Sequence, residues 1–371
     1  MTRLKLIGLM AALSAALAAT PAAAKAAPLL DCPLRDAPFS VDSPLIDILL
    51  NPAARELTTA TTGKDPGKDY FMPMGTAVPT FASILTIRDA AGIVGMDMTV
   101  IAGLDAKLRG LPVTRADKVA RCARYDNDRV AVPKGQARAP RVLLFEKING
   151  FRDVPSVNSA RTALTAMAQR KGWQLIVTEK GGAFTPATLG KFDAVIWNNI
   201  SGDVLTLAQR KAFQTFLKRG GGYVGIHGSA GDPVYFWDWY PDTLIGARFA
   251  GHPMDPQFQE ARVVVDKAHP LAARLPAEWR MTDEWYSFKT NPRATGAKVI
   301  LSLDESTYSR TGRFGGNLDM GDHPIAWTRC IGKGRMFYSA IGHLPETYSH
   351  PLNVTLLEDA IGWAATKGAK C

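Results

Sequence analysis

The sequence predicts an α/β fold whose parallel sheet is covered by helices on both faces, with a small helical unit ahead of it. Three observations carry this. From Arg141 onward, short branched apolar runs alternate with stretches of helical period, the pattern of βαβ units. Before that point the chain reads helical, and VPKGQARAP (132–140), with Pro133, Gly135 and Pro140, looks like the linker between the two parts. Finally, the run YVGIHGSAG (223–231) reads as a buried strand ending in a glycine-rich turn that displays one histidine, His227.

At 371 residues the chain has room for two domains. A hydrophobic share of 46% and a charged share of 21% exclude wholesale disorder. Residues 1–26 have basic Arg3 and Lys5, then an apolar run, then small residues in A-x-A order, which is the pattern of a secretory signal peptide. That run is too short to span a bilayer, and no later segment holds eighteen consecutive apolar residues. The expectation is an exported protein, periplasmic or secreted, without membrane attachment after cleavage. Loss of Arg3, Lys5 and Lys25 lowers the formal charge from +10 to +7, and the remaining basic residues are scattered, so no nucleic-acid face is expected. The four cysteines suit an oxidising compartment. Of three possible pairings, Cys32–Cys122 and Cys330–Cys371 are favoured, because each pair lies within one expected domain.

The helical unit is expected over 27–139. Ser43-Pro44 offers a capping hydroxyl followed by proline, and LIDILL continues the helix. FASILTIRDAAGIVG and MTVIAGLDAKLRGL repeat apolar residues at helical spacing. Almost no histidine or paired carboxylate appears in this unit, and its role is not legible. The α/β domain, 140–371, opens with the strand RVLLFEKI. A helix follows through SARTALTAMAQRKG, then the strands WQLIVTE and FDAVIWNN. The amphipathic helix LTLAQRKAFQTFLKRG ends at a glycine and leads into the strand before His227. ARVVVD, AKVILSL and GRMFYSAI extend the sheet less regularly. In such sheets ligands bind at the carboxyl ends of the strands, where Asn198, Asn199, His227 and the loop after Ile148 fall.

All six histidines lie in this domain. His269 and His350 precede prolines in loops and read as structural. His227 and His343 each follow an apolar strand, His323 leads into one, and His252 sits in FAGHP. The stretch TDEWY adds Asp283 and Glu284, whose side chains point apart on a strand, so one of the two is expected to face a site. Imidazole with carboxylate suits zinc or another divalent metal, and equally general acid–base catalysis. No CxxC or HExxH spacing occurs to choose between them. A glutaminase of this fold class would carry G-x-C-x-G at the displayed turn; here histidine stands in place of the thiol, so glutamine hydrolysis is excluded. A serine hydrolase using Ser229 would need G-x-S-x-G, and His227 occupies the first position of that pattern.

KINGFRDVPSV, WNNISGDVLTLAQRKAF, GGGYVGIHG, FAGHP, DEWYSF, DHPIAWTRCIGKGRMFYSAIGH and the closing IGWAA, in this order over 141–366, resemble the ThuA or trehalose-utilisation family. The resemblance implies a three-layer αβα sandwich, flavodoxin-like and similar to class I glutamine amidotransferases, without the amidotransferase cysteine. It also implies a link to disaccharide or oxidised (keto-) sugar metabolism. The family's histidine-rich pocket carries over onto His227, His252, His323 and His343, with Asp283, Glu284 and Arg335. One departure stands out: family members usually read GFRH after the first strand, whereas this chain has Asp153 in that place.

These readings lead to an expected sugar-transforming enzyme. His227, Asp283, Glu284 and His343 are the candidate catalytic residues, and His227, His252 and His323 the candidate ligands for a divalent metal such as zinc. Asp153, Asn198, Asn199, Trp285, Tyr286 and Arg335 are expected to bind the sugar, with Trp197, Trp237, Trp239 and Tyr240 as further aromatic faces. The alternatives are a non-catalytic carbohydrate-binding protein and the Ser229 hydrolase.

Overall fold

A computed structural model describes residues 29–68, 74–93, 95–133, 139–366 and 368. The expected leader lies outside these, as do the middle of the linker (134–138) and Cys371, the expected partner of Cys330. Among the described residues no helix is long and apolar enough to cross a membrane.

Five short helices come first: α1 (Leu45–Leu50), α2 (Pro52–Thr62), α3 (Ile87–Ile93), α4 (Met98–Arg109) and α5 (Arg115–Cys122). Local signals account for their starts. The Asn51 side chain accepts the Ala54 N–H ahead of α2, with Pro52 in the first turn. Thr114 and Asp117 form a reciprocal capping box on α5. Two details depart from the sequence reading. Ser43 does not cap α1, because its hydroxyl accepts from Ser40 N–H and the Leu45 amide is taken by Leu85 O. The stretch from Phe81 is broken rather than continuous: a single turn at Phe81–Ser83 stops, and Thr86 restarts the chain as α3 by accepting the Asp89 N–H. Phe39, Leu45, Ile48, Ile101, Leu104 and Leu108 form a core of their own, separate from that of the sheet. The Cys32–Cys122 disulfide joins the start of this unit to the end of α5.

The sheet domain runs β1 (Arg141–Phe145), α6 (Val154–Lys171), β2 (Gln174–Thr178), α7 (Pro186–Leu189), β3 (Ala194–Asn198), α8 (Leu207–Lys218) and β4 (Gly222–Ile226). It continues through β5 (Phe249–Gly251), β6 (Phe258–Val265), β7 (Glu278–Glu284), β8 (Ser287–Phe288), β9 (Lys298–Asp304), β10 (His323–Ile331), β11 (Gly334–Ser339) and α9 (Pro351–Ala364). Nine strands form one sheet in the order β2-β1-β3-β4-β11-β10-β9-β6-β7, and β5 and β8 make a separate ribbon. The first five are parallel, as the buried apolar runs predict, and the last four alternate antiparallel. Helices α6, α8 and α9 flank this mixed sheet, which gives the expected αβα sandwich.

Register fixes where the chemistry lies. Asn198, Ile226 and Ser339 share one rung at the carboxyl ends of β3, β4 and β11, so Asn199, His227 and Ala340 emerge together from the same edge. Glu284, at the end of β7, leaves the sheet on that edge too. On a flat sheet β7 would stand about 19 Å from β11, four strand spacings away. Glu284 instead touches His343, beyond the end of β11, so the antiparallel wing curls over this edge.

Candidate functional site

His227 sits immediately after β4 with a φ of +38°, an uncommon conformation for a residue with a side chain. The turn holds it there through three contacts. Its Nδ1–H donates to Ala340 O at 2.6 Å, its carbonyl accepts from the Tyr338 hydroxyl at 2.9 Å, and the Asn199 side chain accepts the next amide, Gly228 N–H. Because Nδ1 is engaged with Ala340 O, Nε2 is the ring nitrogen left to face the cavity. That atom lies 3.4 Å from Glu284 Oε2 and 3.3 Å from His343 Nδ1. The Tyr286 ring stacks on His227 at 4.2 Å and shields it.

Glu284 is buried among imidazoles: His343 Nδ1 lies 2.9 Å from Oε2, while Gln257 donates to Oε1 at 2.5 Å and His252 Nδ1 stands 3.2 Å from it. Burial works to raise its pKa, but the bonds to His227 and His343 and the charge of His252 outweigh it and hold the carboxyl well below the usual range. Glu284 is therefore a standing anion. For His343 burial acts downward, yet its bond to Glu284 and the nearby charges of Glu284, Asp153 and Asp283 leave it raised.

His227 Nε2, His343 Nδ1 and Glu284 Oε2 form a triangle with edges of 2.9, 3.3 and 3.4 Å. Three ligands at about 2.0–2.1 Å from a tetrahedral zinc ion stand roughly 3.3 Å apart, so the triangle fits one face of such a site. The same three residues form the group able to hold a metal ion among the described residues. Each histidine also has an orienting partner on its other nitrogen, as metal-bound imidazoles usually do: Ala340 O for His227 and the Asp153 carboxylate, 3.5 Å from His343 Nε2.

These groups lie in a cavity of about 650 Å³, within the range of small-molecule sites. Asp153, Asn199, His227, His252, Glu284, Tyr286 and His343 line it together. The other expected residues stand elsewhere. Asp283 points away from the cavity, as strand alternation requires, and its buried carboxylate accepts the amides of Gly342, His343 and Leu344. His323 is locked between Glu305 and Tyr308 on one nitrogen and donates to Tyr286 O from the other, outside the metal group. Asn198 is spent beneath the site on Glu146 and Val157. Trp285 is core, with its indole N–H on Gln259 O. Arg335 pairs with the first residue of β4 and donates to Ala364 O, at the opposite end of the sheet. Ser229 donates to Trp197 O and touches no histidine, so the hydrolase alternative lacks its base. His269 and His350 stay out of the cavity, as expected.

Gln257 and Asp232 are among the lining residues that the sequence did not single out. Gln257, before β6, is visible only once β7 lies beside it. Asp232 follows the His227 turn in a Gly-Asp-Pro step, a signal that could have marked it. It accepts from Ser201 Oγ at 2.5 Å and Gly202 N–H at 2.7 Å, tying two loops of the cavity together. Burial pushes its pKa up to about 7 against those two bonds. The unfolded chain releases this proton near pH 4, so relative stability falls as pH rises from about 4 to about 7 and is flat above. Asp232→Asn does not titrate there. In denaturant titrations its stability relative to wild type should be roughly 2–3 kcal/mol more favourable at pH 8 than at pH 5. The same difference at both pH values would contradict this.

A profile of the ThuA family, described as trehalose utilisation, matches residues 141–364. A ThuA-like protein from Bacteroides uniformis is similar over 64% of this chain and 96% of its own, with 28% identity and a TM-score of 0.54. One from Parabacteroides merdae shows 18% identity and a TM-score of 0.45 over 63% and 93%. The exo-β-1,4-mannosidase Op5Man5 of an Opitutaceae bacterium shows 14% identity and a TM-score of 0.38 over 62% of this chain and 36% of its own. No curated protein sequence matches the chain.

Proposed function

The chain belongs to the ThuA, or trehalose utilisation, family, and on that premise we propose that it is an exported enzyme acting on a disaccharide or oxidised sugar in the His227–Glu284–His343 pocket. The observation that carries the reading is the triangle of donor atoms at the foot of a cavity large enough for a sugar. A divalent ion held by His227, Glu284 and His343 would act as a Lewis acid on a sugar carbonyl or hydroxyl. The chain's own residues supply the rest. Glu284 stays ionised and orients both imidazoles, Tyr286 keeps water from His227, and Asp153 and Asn199 offer acceptor oxygens to sugar hydroxyls. The Cys32–Cys122 disulfide is compatible with export.

A metal-free variant of the reading is favoured by one observation: His343 is paired with Glu284 and its pKa is raised, which suits a proton donor. Metal analysis of the purified protein, before and after chelation, separates the two. Turnover of trehalose, 3-keto-trehalose and related glycosides is then measured for wild type and His227→Ala. The expected result is a bound divalent ion, turnover of at least one of these sugars, and loss of both in the variant. Sugar binding without turnover would make the protein a carbohydrate-binding one, and neither binding nor turnover would sink the reading.

A further inference from the structure

The helices ahead of the family region do not stand apart from the pocket. Thr80 N–H donates to Asn149 O, Asn149 donates to Arg124 O, and Tyr125 donates to Asp203, so the helical unit is bonded onto the loops after β1 and β3. Gly150 passes so close to Ile84 that a Cβ there would lie 2.7 Å from its side chain. Phe81 stacks on Phe151 at 5.1 Å, and Phe151 in turn stands 6.3 Å from the His343 ring. Phe81, Ile84, Leu85 and Ile93 line the same cavity as the imidazoles.

Large apolar side chains are also left open around this cavity. Ile93 is 40% exposed, Phe151 42% and Phe314 75%, and all three line it. Phe314 is held at a φ of +56°, a conformation costly for an aromatic residue, in a loop closed by the Thr311–Asn317 bridge. Exposed apolar groups that converge on one concave site mark a surface for an apolar ligand. The cavity thus joins the imidazole and carboxylate group to a broad set of aliphatic and aromatic side chains.

We propose that the helical unit is a specificity wall of this pocket, and that the substrate is a glycoside with a ring-sized apolar aglycone. The sugar sits at His227, Glu284 and His343, and the aglycone packs against Phe81, Ile84, Ile93, Phe151 and Phe314. This rests on the sugar reading above and adds the class of aglycone. A second sugar, as in trehalose, would bring hydroxyls against these five side chains, none of which offers a hydrogen bond, and desolvate them at a cost.

Calorimetry with methyl and phenyl glucosides of both anomers, and with trehalose, tests it on the full chain. Phenyl glucoside should bind about 10-fold or more tighter than the methyl glucoside of the same anomer, and tighter than trehalose, because the ring removes more apolar area from water. In Phe81→Ala and in Ile93→Ser the phenyl-to-methyl ratio should fall toward one. Ile93 is open to solvent, which makes its variant the safer to fold, and Val177→Ala on the far strand β2 should leave the ratio at its wild-type value. Equal binding of phenyl and methyl glucosides, or a preference that survives both substitutions, overturns the aglycone wall while the sugar reading stands. Binding of none of these sugars removes the sugar reading and this inference with it.

Discussion

Glu284→Gln is expected to lower the proposed turnover by on the order of 100-fold or more and to abolish metal binding at the candidate site, while leaving a folded protein. The substitution keeps the shape of the side chain, so Gln257, His252 and His343 retain a neighbour of the same size. What disappears is the negative charge on which two imidazoles converge. If Glu284 is a ligand, the triangle loses its one anionic corner; if it only orients His343, the pairing that raises the His343 pKa is gone. Either way the loss falls on the proposed reacting centre. Glu284→Asp makes the comparison sharper, since it keeps the charge but draws the oxygens back by one carbon, and misplacement of about 1 Å can itself cost 100-fold. Metal content and turnover are measured for both variants, with thermal melting as the control for folding. Wild-type turnover in Glu284→Gln would remove this carboxylate from the chemistry.

The parallel half of the fold was legible because its strands are buried on both faces and read as continuous apolar runs, RVLLF and AVIWN among them. The edge on which His227 would appear followed from the same reading. Four residues chosen for the site are elsewhere for reasons that no linear pattern carries. Arg335 lies at the wrong end of its strand, Trp285 and Asn198 point into the interior, and His323 is used up by Glu305, Tyr308 and Tyr286. The metal group differs in the same way. Glu284 joins it because the antiparallel wing curls back over the sheet, a long-range event that spacing in sequence does not encode. The helical unit gave no chemical signal at all, since its contribution to the cavity is apolar, and an apolar residue reads alike whether it faces a core or a ligand. Asp153, noted as a departure from the family pattern, does face His343.

Asp283→Asn should cost stability and metal affinity together, although Asp283 touches neither the cavity nor the candidate metal position. Its buried carboxylate accepts the Gly342 N–H at 2.6 Å, the Leu344 N–H at 3.0 Å and the His343 N–H at 3.1 Å, so one side chain shapes the turn that carries His343. Few other turns would serve. Gly342 has a φ of +145°, and a Cβ on it would fall 2.5 Å from the Tyr348 hydroxyl and 3.1 Å from His227 Cβ. An asparagine in place of Asp283 keeps one acceptor oxygen and sets an NH2 group against a backbone donor, leaving at least one buried amide unpaired. That fault is worth on the order of 1–3 kcal/mol, the cost of a buried donor left without a partner. Relief comes only if the turn shifts, and a shift carries His343 away from Glu284. Loss of an orienting partner of this kind lowers metal affinity about 10- to 100-fold. A lowered melting temperature with weaker zinc binding by titration is the expected pair of results. If the variant melted like wild type and bound zinc as well, the three amides would have found other acceptors, and Asp283 would have no part in placing His343.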